Sequence, residues 1–304
     1  MFLDPTNDVA FKKIFGNENK KNILVSFLNS ILELPSDRLI EDITIENPYQ
    51  LPKIKELKET ILDLRCKDSR GINYIVEVQI CKQSAFEKRV LYYTSKAYTN
   101  QIEIGEDYPK LNQIIFLGIL DFNMFESDDY LSTHLILNKD TYRNEFKDFR
   151  FSFVELPKFN KNAEDLLTIE DKWIYFLKNA KRIDIIPQNI VEDEIKDAFV
   201  ALDKFGWSKE ELEIYDTISI YRQDERGRLE QARIEGKIEG KIEGKIEDKQ
   251  EVLIRLLMKK FGISEAEKKE ILSCRDIVKL DQTLDDIITS NDKYLLIKGL
   301  KCPE

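Results

Sequence analysis

A mixed α/β sandwich built on one central sheet, followed by an all-α C-terminal region, is the fold class that this 304-residue sequence predicts. Three observations carry that prediction. Between residues 40 and 156, short runs of strand character flank a single run with helical spacing. The run QIIFLGILDF at 113–122 is apolar without alternation, as a strand covered on both faces must be. Beyond Pro157, apolar residues recur every three or four positions and strand patterning disappears.

Taken in order, the first element is a helix that Asn7 caps and whose positive end suits Asp8, with Gly16-Asn17 interrupting it. Asp8 and Lys12 stand one turn apart. They are either an ordinary surface ion pair or two groups facing a reaction centre from this helix. After the interruption, Ile23, Leu24, Phe27, Leu28, Ile31 and Leu32 form an apolar stripe that predicts a core helix.

A strand from about 40 leads to a hairpin made of ILDLRC (61–66) and INYIVEVQI (72–80). Successive strand residues point to opposite faces. Ile72, Tyr74, Val76, Val78 and Ile80 therefore share one side, and Asn73, Ile75, Glu77 and Gln79 the other. On the first strand Leu62, Leu64 and Cys66 oppose Ile61, Asp63 and Arg65. A three-residue loop Ser69-Arg70-Gly71, closed by a left-handed glycine, pairs Asp68 with Ile72 and sets Asp63 across from Glu77. Opposed Cα atoms lie about 4.5–5.5 Å apart, so both carboxylates would reach one ion. A two-residue loop would send them to opposite faces.

Two carboxylates held together repel, and one is driven to keep a proton. A hard divalent cation removes the conflict. Mg²⁺ (or Mn²⁺) accepts oxygen ligands and keeps waters, so Asp63, Glu77 and the backbone carbonyl of Val78 form a sufficient protein donor set. Such a cation activates water and offsets charge on a phosphoryl oxygen, which points to phosphodiester hydrolysis. The same alternation of charges also describes a solvated strand face, and spacing alone leaves that alternative open.

After the hairpin, AFEKRVLYYTSKAYTNQI at 85–102 reads as an amphipathic helix with Phe86, Val90, Tyr93 and Ala97 on its apolar face. Strands follow at 113–122, 131–137 and 149–156, and Pro157 with the polar run 158–164 marks a boundary. Helices are predicted around 165–181, 189–205 and 209–226, the first with an apolar face of Trp173, Phe176, Leu177 and Ala180. Residues 234–249 repeat IEGK three times and end in IEDK. Each four-residue repeat precesses about 40° around a helix, so Ile234, Ile238, Ile242 and Ile246 form a slanting stripe. Like charges stack four apart, and Gly236, Gly240 and Gly244 each cost about 1 kcal/mol relative to alanine. Burial of the stripe against another chain offsets those penalties. Self-association through 228–262 is therefore expected, with Leu253, Leu256 and Leu257 joining the same bundle; the alternative is an exposed flexible linker.

The segments PTNDVAFKKIFG (5–16), Leu62-Asp63, Glu77-Val78-Gln79, KRVLYYTSKAYTNQIEIGEDY (88–108) and QIIFLGILDF (113–122) occur in the order and spacing of a known family. Over roughly its first 160 residues the chain resembles the PD-(D/E)xK nuclease superfamily, and within it the recombination-promoting nuclease and putative transposase family. The resemblance implies a restriction-endonuclease-like sandwich and a metal-dependent DNA endonuclease that nicks or cuts DNA in recombination, mobile-element activity or defence. It assigns the first acid to Asp63 and the second to Glu77. Gln79 stands where the superfamily usually has lysine; an amide orients water without supplying charge, and glutamine is known at this place in the related family. Lys12 and Lys82 are candidates to supply the charge. The expected domains are a nuclease domain at 1–160, a helical extension at 161–232 and an oligomerising helical region at 233–304.

A net charge of −10 argues against bulk attraction to DNA, since phosphate neutralisation dominates affinity. The charge is uneven: residues 1–110 hold 16 Lys and Arg against 17 Asp and Glu. A local basic rim is expected in Arg89, Tyr92 and Lys96, where a cation grips phosphate and an aromatic steadies sugar or base. The bland reading makes the tyrosines core and the cations solvated. With one histidine, His134, read as a strand residue, triads centred elsewhere and histidine-rich metal sites are excluded. Cys66, Cys81, Cys274 and Cys302 form no Cys-x-x-Cys pair, which fits reduced thiols in the cytoplasm. No membrane segment, targeting peptide or organic cofactor is expected.

Overall fold

The computed structural model describes residues 1–46, 49–50, 60–61, 63–103 and 105–300. Leu62 and Cys302 of the sequence reading lie outside them. In chain order the elements are α1 (Asp8–Phe15), α2 (Lys21–Ile31), β1 (Ile43–Glu46), β2 (Tyr49–Gln50), β3 (Thr60–Ile61), β4 (Leu64–Asp68), β5 (Asn73–Gln79), α3 (Phe86–Thr99), β6 (Ile114–Leu120), β7 (Leu131–Ile136), β8 (Phe146–Glu155), α4 (Ile169–Asn179), α5 (Asp193–Leu202), α6 (Lys209–Phe261), α7 (Glu265–Ser273), α8 (Ile277–Thr289) and α9 (Lys293–Gly299). The chain divides into two compact units, Met1–Gln223 and Asp224–Glu304.

In the first unit a six-stranded mixed sheet has the order β1-β4-β5-β6-β8-β7. The β4–β5 and β1–β4 pairs are antiparallel, whereas β5–β6 and β6–β8 are parallel. Central β6 is buried at every position, which explains its uninterrupted apolar sequence. One face of the sheet offers Leu64, Cys66, Tyr74, Val76, Val78, Ile115, Leu117 and Ile119 to the helices α1, α2, α4 and α5. On the other face Ile75, Ile114, Phe116 and Phe153 pack with Phe86, Val90 and Ala97 of α3. Helices from both sides of residue 160 thus enter one core, in which Trp173 meets Phe15 and Phe27 at 5.8 and 5.6 Å between ring centroids. A buried side chain of this size contributes about 1.5–3 kcal/mol, so α4 and α5 are integral to the sandwich.

Local chemistry fixes the ends of α1. The Asn7 side chain accepts from the Val9 N–H, and the Gly16 N–H closes on Lys12 O. A Cβ at Gly16 would approach that carbonyl to 2.6 Å, so the position takes glycine on close-contact grounds. In the hairpin, Gly71 has φ +87° and its N–H returns to Asp68 O at 3.0 Å, while Asp68 N–H meets Ile72 O at 3.1 Å. This is the three-residue loop with a left-handed glycine.

In the second unit Ile246, Leu253 and Leu257 of α6 are buried with Ile271, Leu280, Ile287, Leu296 and Ile297 of α7, α8 and α9. The expectation that Ile246, Leu253 and Leu257 serve an intermolecular bundle is corrected: helices of the same chain cover them. The reason is the amphipathic spacing of α8, which supplies a local partner that the repeat lacks. Upstream, Ile234, Ile238 and Ile242 lie on the continuous α6 and stay 44–53% exposed. Among the described residues no helix is long and apolar enough to cross a membrane.

Candidate active site

Leu64 pairs with Val76 and Arg65 with Ile75, and the same register carried back one residue sets Asp63 across from Glu77. Two hydrogen bonds cross between them. The Val78 N–H donates to Asp63 Oδ2 at 2.7 Å, and the Asp63 N–H donates to Glu77 Oε1 at 3.3 Å. Each carboxylate is therefore held by the backbone of the opposite strand. Glu77 is buried and Asp63 half-buried.

Burial sets the electrostatics of the pair. Desolvation pushes the Asp63 carboxyl up to about 6; Asp8 adds to the rise, while the Val78 hydrogen bond and the charges of Lys12 and Arg222 oppose it. Glu77 is raised well above the usual carboxylate range, by desolvation and then by Asp63, with Arg89 the strongest opposing charge. Two adjacent acids that resist ionisation in a poorly solvated place are a site short of positive charge. That is the environment a divalent cation relieves, and hard carboxylate oxygens are the donors it prefers. Among the described residues no cluster of three or more His, Cys, Asp or Glu side chains is placed to hold a metal. From the described residues, a metal at the pair would take two carboxylates with backbone carbonyl or water oxygen beside them, a donor set that fits Mg²⁺ better than Zn²⁺.

The remaining predicted residues divide. Gln79 belongs to the centre: its Nε2 donates to Glu77 Oε2 at 3.3 Å. Asp8 and Lys12 lie near enough to act on Asp63 electrostatically. Asp8 does not pair with Lys12, however; its ion partner is Arg222 of α6, at 2.5 Å, and Arg222 also donates to Thr6 O at 2.6 Å. Lys12 is exposed. Lys82 is exposed in the loop after β5 and is not among the charges acting most strongly on the two acids.

The residues Arg89, Tyr92 and Lys96 do not make one exposed stripe. Arg89 turns toward the acids, donating to Gln79 Oε1 at 2.6 Å and to Gln83 Oε1 at 2.5 Å. Lys96 is buried to 9% exposure with its Nζ 6.0 Å from the Tyr92 ring, and Tyr92 itself faces solvent. Their 3–4 spacing keeps all three on one side of α3, so spacing alone does not decide which of them meets solvent; the partners of each side chain do. His134 sits on β7 with its ring 4.5 Å from that of Phe125, a strand residue as expected.

Sequence reasoning missed Arg222. It lies 214 residues from Asp8 in a helix of ordinary polar composition, so no local pattern marks it.

A family model described as a PD-(D/E)XK nuclease family transposase matches residues 5–232. No curated protein and no solved structure matches the chain.

Proposed function

Because this chain belongs to the PD-(D/E)XK nuclease family of transposases, we propose that it is a divalent-metal-dependent endonuclease that hydrolyses DNA phosphodiester bonds. The mixed six-stranded sheet followed by helices is the restriction-endonuclease-like architecture expected of that family. The observation that carries the proposal is the crossed pair Asp63 and Glu77, two carboxylates held together and raised by burial.

In this reading Asp63, Glu77 and the Val78 carbonyl hold Mg²⁺ or Mn²⁺, which supplies Lewis acidity toward phosphate and water. Gln79 orients the attacking water through its amide. Lys12, exposed on α1, and Asp8, anchored by Arg222, shape the charge on the open side of the centre. Lys82, exposed in the loop after β5, is a weaker candidate to supply stabilising charge. Tyr92, exposed on α3 with the buried Lys96 ammonium 6.0 Å from its ring, offers an aromatic face for sugar or base. In this reading the catalytic residues lie in 1–160, 161–232 is a helical extension whose α4 and α5 share the same core, and 233–304 is the assembling region. The exposed ladder Ile234, Ile238 and Ile242 supports self-association through 228–262, which would present two centres to the two strands of a duplex. Cys66, Cys81 and Cys274 carry thiols in place of disulfides, which suits a reducing cytoplasm, and recombination, mobile-element activity or defence is the setting proposed.

Supercoiled plasmid is the substrate for the test. Nicking or linearisation with Mg²⁺ or Mn²⁺ that is abolished by EDTA and by Asp63→Ala is expected. No cleavage with any divalent ion would instead favour a second reading, a nuclease-like scaffold that acts by oligomerisation. That reading draws on the glutamine in place of lysine and on the exposed isoleucine ladder.

A further inference from the structure

We propose that Arg89 is a positioning residue of the reaction centre and that, through Gln79, it delivers the positive charge a lysine would carry at that place. The inference rests on the nuclease reading above and assigns Arg89 a task other than gripping distant phosphate.

The argument starts from donor and acceptor chemistry. An arginine guanidinium only donates hydrogen bonds, and an ionised carboxylate only accepts them. Gln79 lies between one of each. Arg89 Nη2 donates to Gln79 Oε1 at 2.6 Å, and Gln79 Nε2 donates to Glu77 Oε2 at 3.3 Å. Turning the amide over would set its N–H against the guanidinium, which has no acceptor, so Arg89 alone fixes the orientation whatever the protonation of Glu77. Gln79 therefore shows the acids a donor, and the cation behind the amide polarises it.

The setting of Arg89 supports a role beyond packing. Its guanidinium carbon lies 5.1 Å from the Phe86 ring and 6.0 Å from the Tyr93 ring, and Nη1 is held by Gln83 Oε1 at 2.5 Å. Two aromatic faces and two amide oxygens leave it few other positions. Its Nε is buried without a hydrogen-bond partner among the described residues. Arg89 is also the largest opposing charge on Glu77. Lysine in the strand would bring a single mobile charge; the Gln79–Arg89 pair brings a delocalised one from the next helix and aims it through a planar amide.

Full-length Arg89→Met, Arg89→Lys, Gln79→Ala, Arg89→Met/Gln79→Ala and Arg89→Met/Gln79→Lys chains test this. Single-turnover plasmid cleavage, affinity for a labelled duplex in EDTA, and thermal unfolding in EDTA are measured for each. Arg89→Met is expected to slow cleavage about 100-fold, the usual scale for removing one charge-stabilising group, while duplex affinity stays within about twofold. The Arg89→Met/Gln79→Ala chain should be no slower, and melt no lower, than the worse single variant, since residues acting as a unit do not add. Gln79→Lys should restore the Arg89→Met rate to within about tenfold, and Arg89→Lys should fall between wild type and Arg89→Met. Additive losses, an unchanged rate, or a loss confined to duplex affinity would overturn the inference, the last making Arg89 a phosphate contact. A wild-type chain that cleaves nothing sinks the nuclease reading and this with it; a wild type that cleaves alongside an equally active Arg89→Met sinks this alone.

Discussion

Asp63→Asn should abolish cleavage and, in the absence of metal, stabilise the protein. Asp63 stands at about 6 instead of the ordinary 3.8, chiefly because its carboxylate is desolvated. At about 1.4 kcal/mol per pH unit, ionising it in the folded chain above pH 6 costs about 3 kcal/mol relative to the unfolded chain. Solvent access at the rim trims this to about 1–3 kcal/mol. The sign follows from proton counts. Between pH 3.8 and about 6 the folded state binds more protons at Asp63 than the unfolded one, so the Asp63 contribution to stability falls as pH rises through that window and is flat beyond it. Asparagine keeps an acceptor for the Val78 N–H and carries no charge, so it escapes the fall. Trp173 and Trp207 are the two tryptophans of the chain and both lie in the first unit, so their fluorescence follows that unit's unfolding. In EDTA at pH 7.5 the variant should melt roughly 3–10 °C above wild type, by the usual scaling for a unit of this size. Near pH 4 the difference should vanish. Saturating Mn²⁺ should reverse the order, since a ligand at a hundred times its Kd stabilises by about 2.7 kcal/mol and the variant lacks a donor. An Asp63→Asn protein that melts below wild type at pH 7.5, or by the same margin at both pH values, would refute the reasoning.

Since burial holds Asp63 and Glu77 above their ordinary range, Mn²⁺ binding should release protons and tighten from pH 5 to 7.5; titration calorimetry in buffers of different ionisation enthalpy would show it, and identical heats would contradict it. Gly118 pairs with Glu77, and a Cβ there would come within 2.7 Å of the Phe153 ring, so Gly118→Ala should destabilise by about 1–3 kcal/mol in urea unfolding and lower Mn²⁺ affinity by displacing the strand. Arg222→Met leaves Asp8 without its ion partner, and hydrogen exchange of the first turns of α6 should rise while those of α8 are unchanged. Ile238→Ser with Ile242→Ser should lower the solution mass measured by light scattering; an unchanged mass removes the self-association reading.

How much of this was legible in the sequence depends on how local its cause is. The hairpin register rests on loop length and on one glycine at φ +87°, and alternation then places Asp63 and Glu77 on one face, so the pair could be found without coordinates. The core stripe of α2 and the apolar run of β6 were legible for the same reason, because burial repeats with the period of the element. Burial was not legible: it depends on what covers a face, and both acids are raised chiefly because burial keeps water from them. Partner choice was not legible either. Arg89 faces Gln79 instead of solvent, Arg222 finds Asp8 across 214 residues, and α8 claims Leu253 and Leu257 from the bundle that their spacing suggested. Periodicity determines which way a side chain points from its own backbone; only the packed chain decides what stands there to meet it.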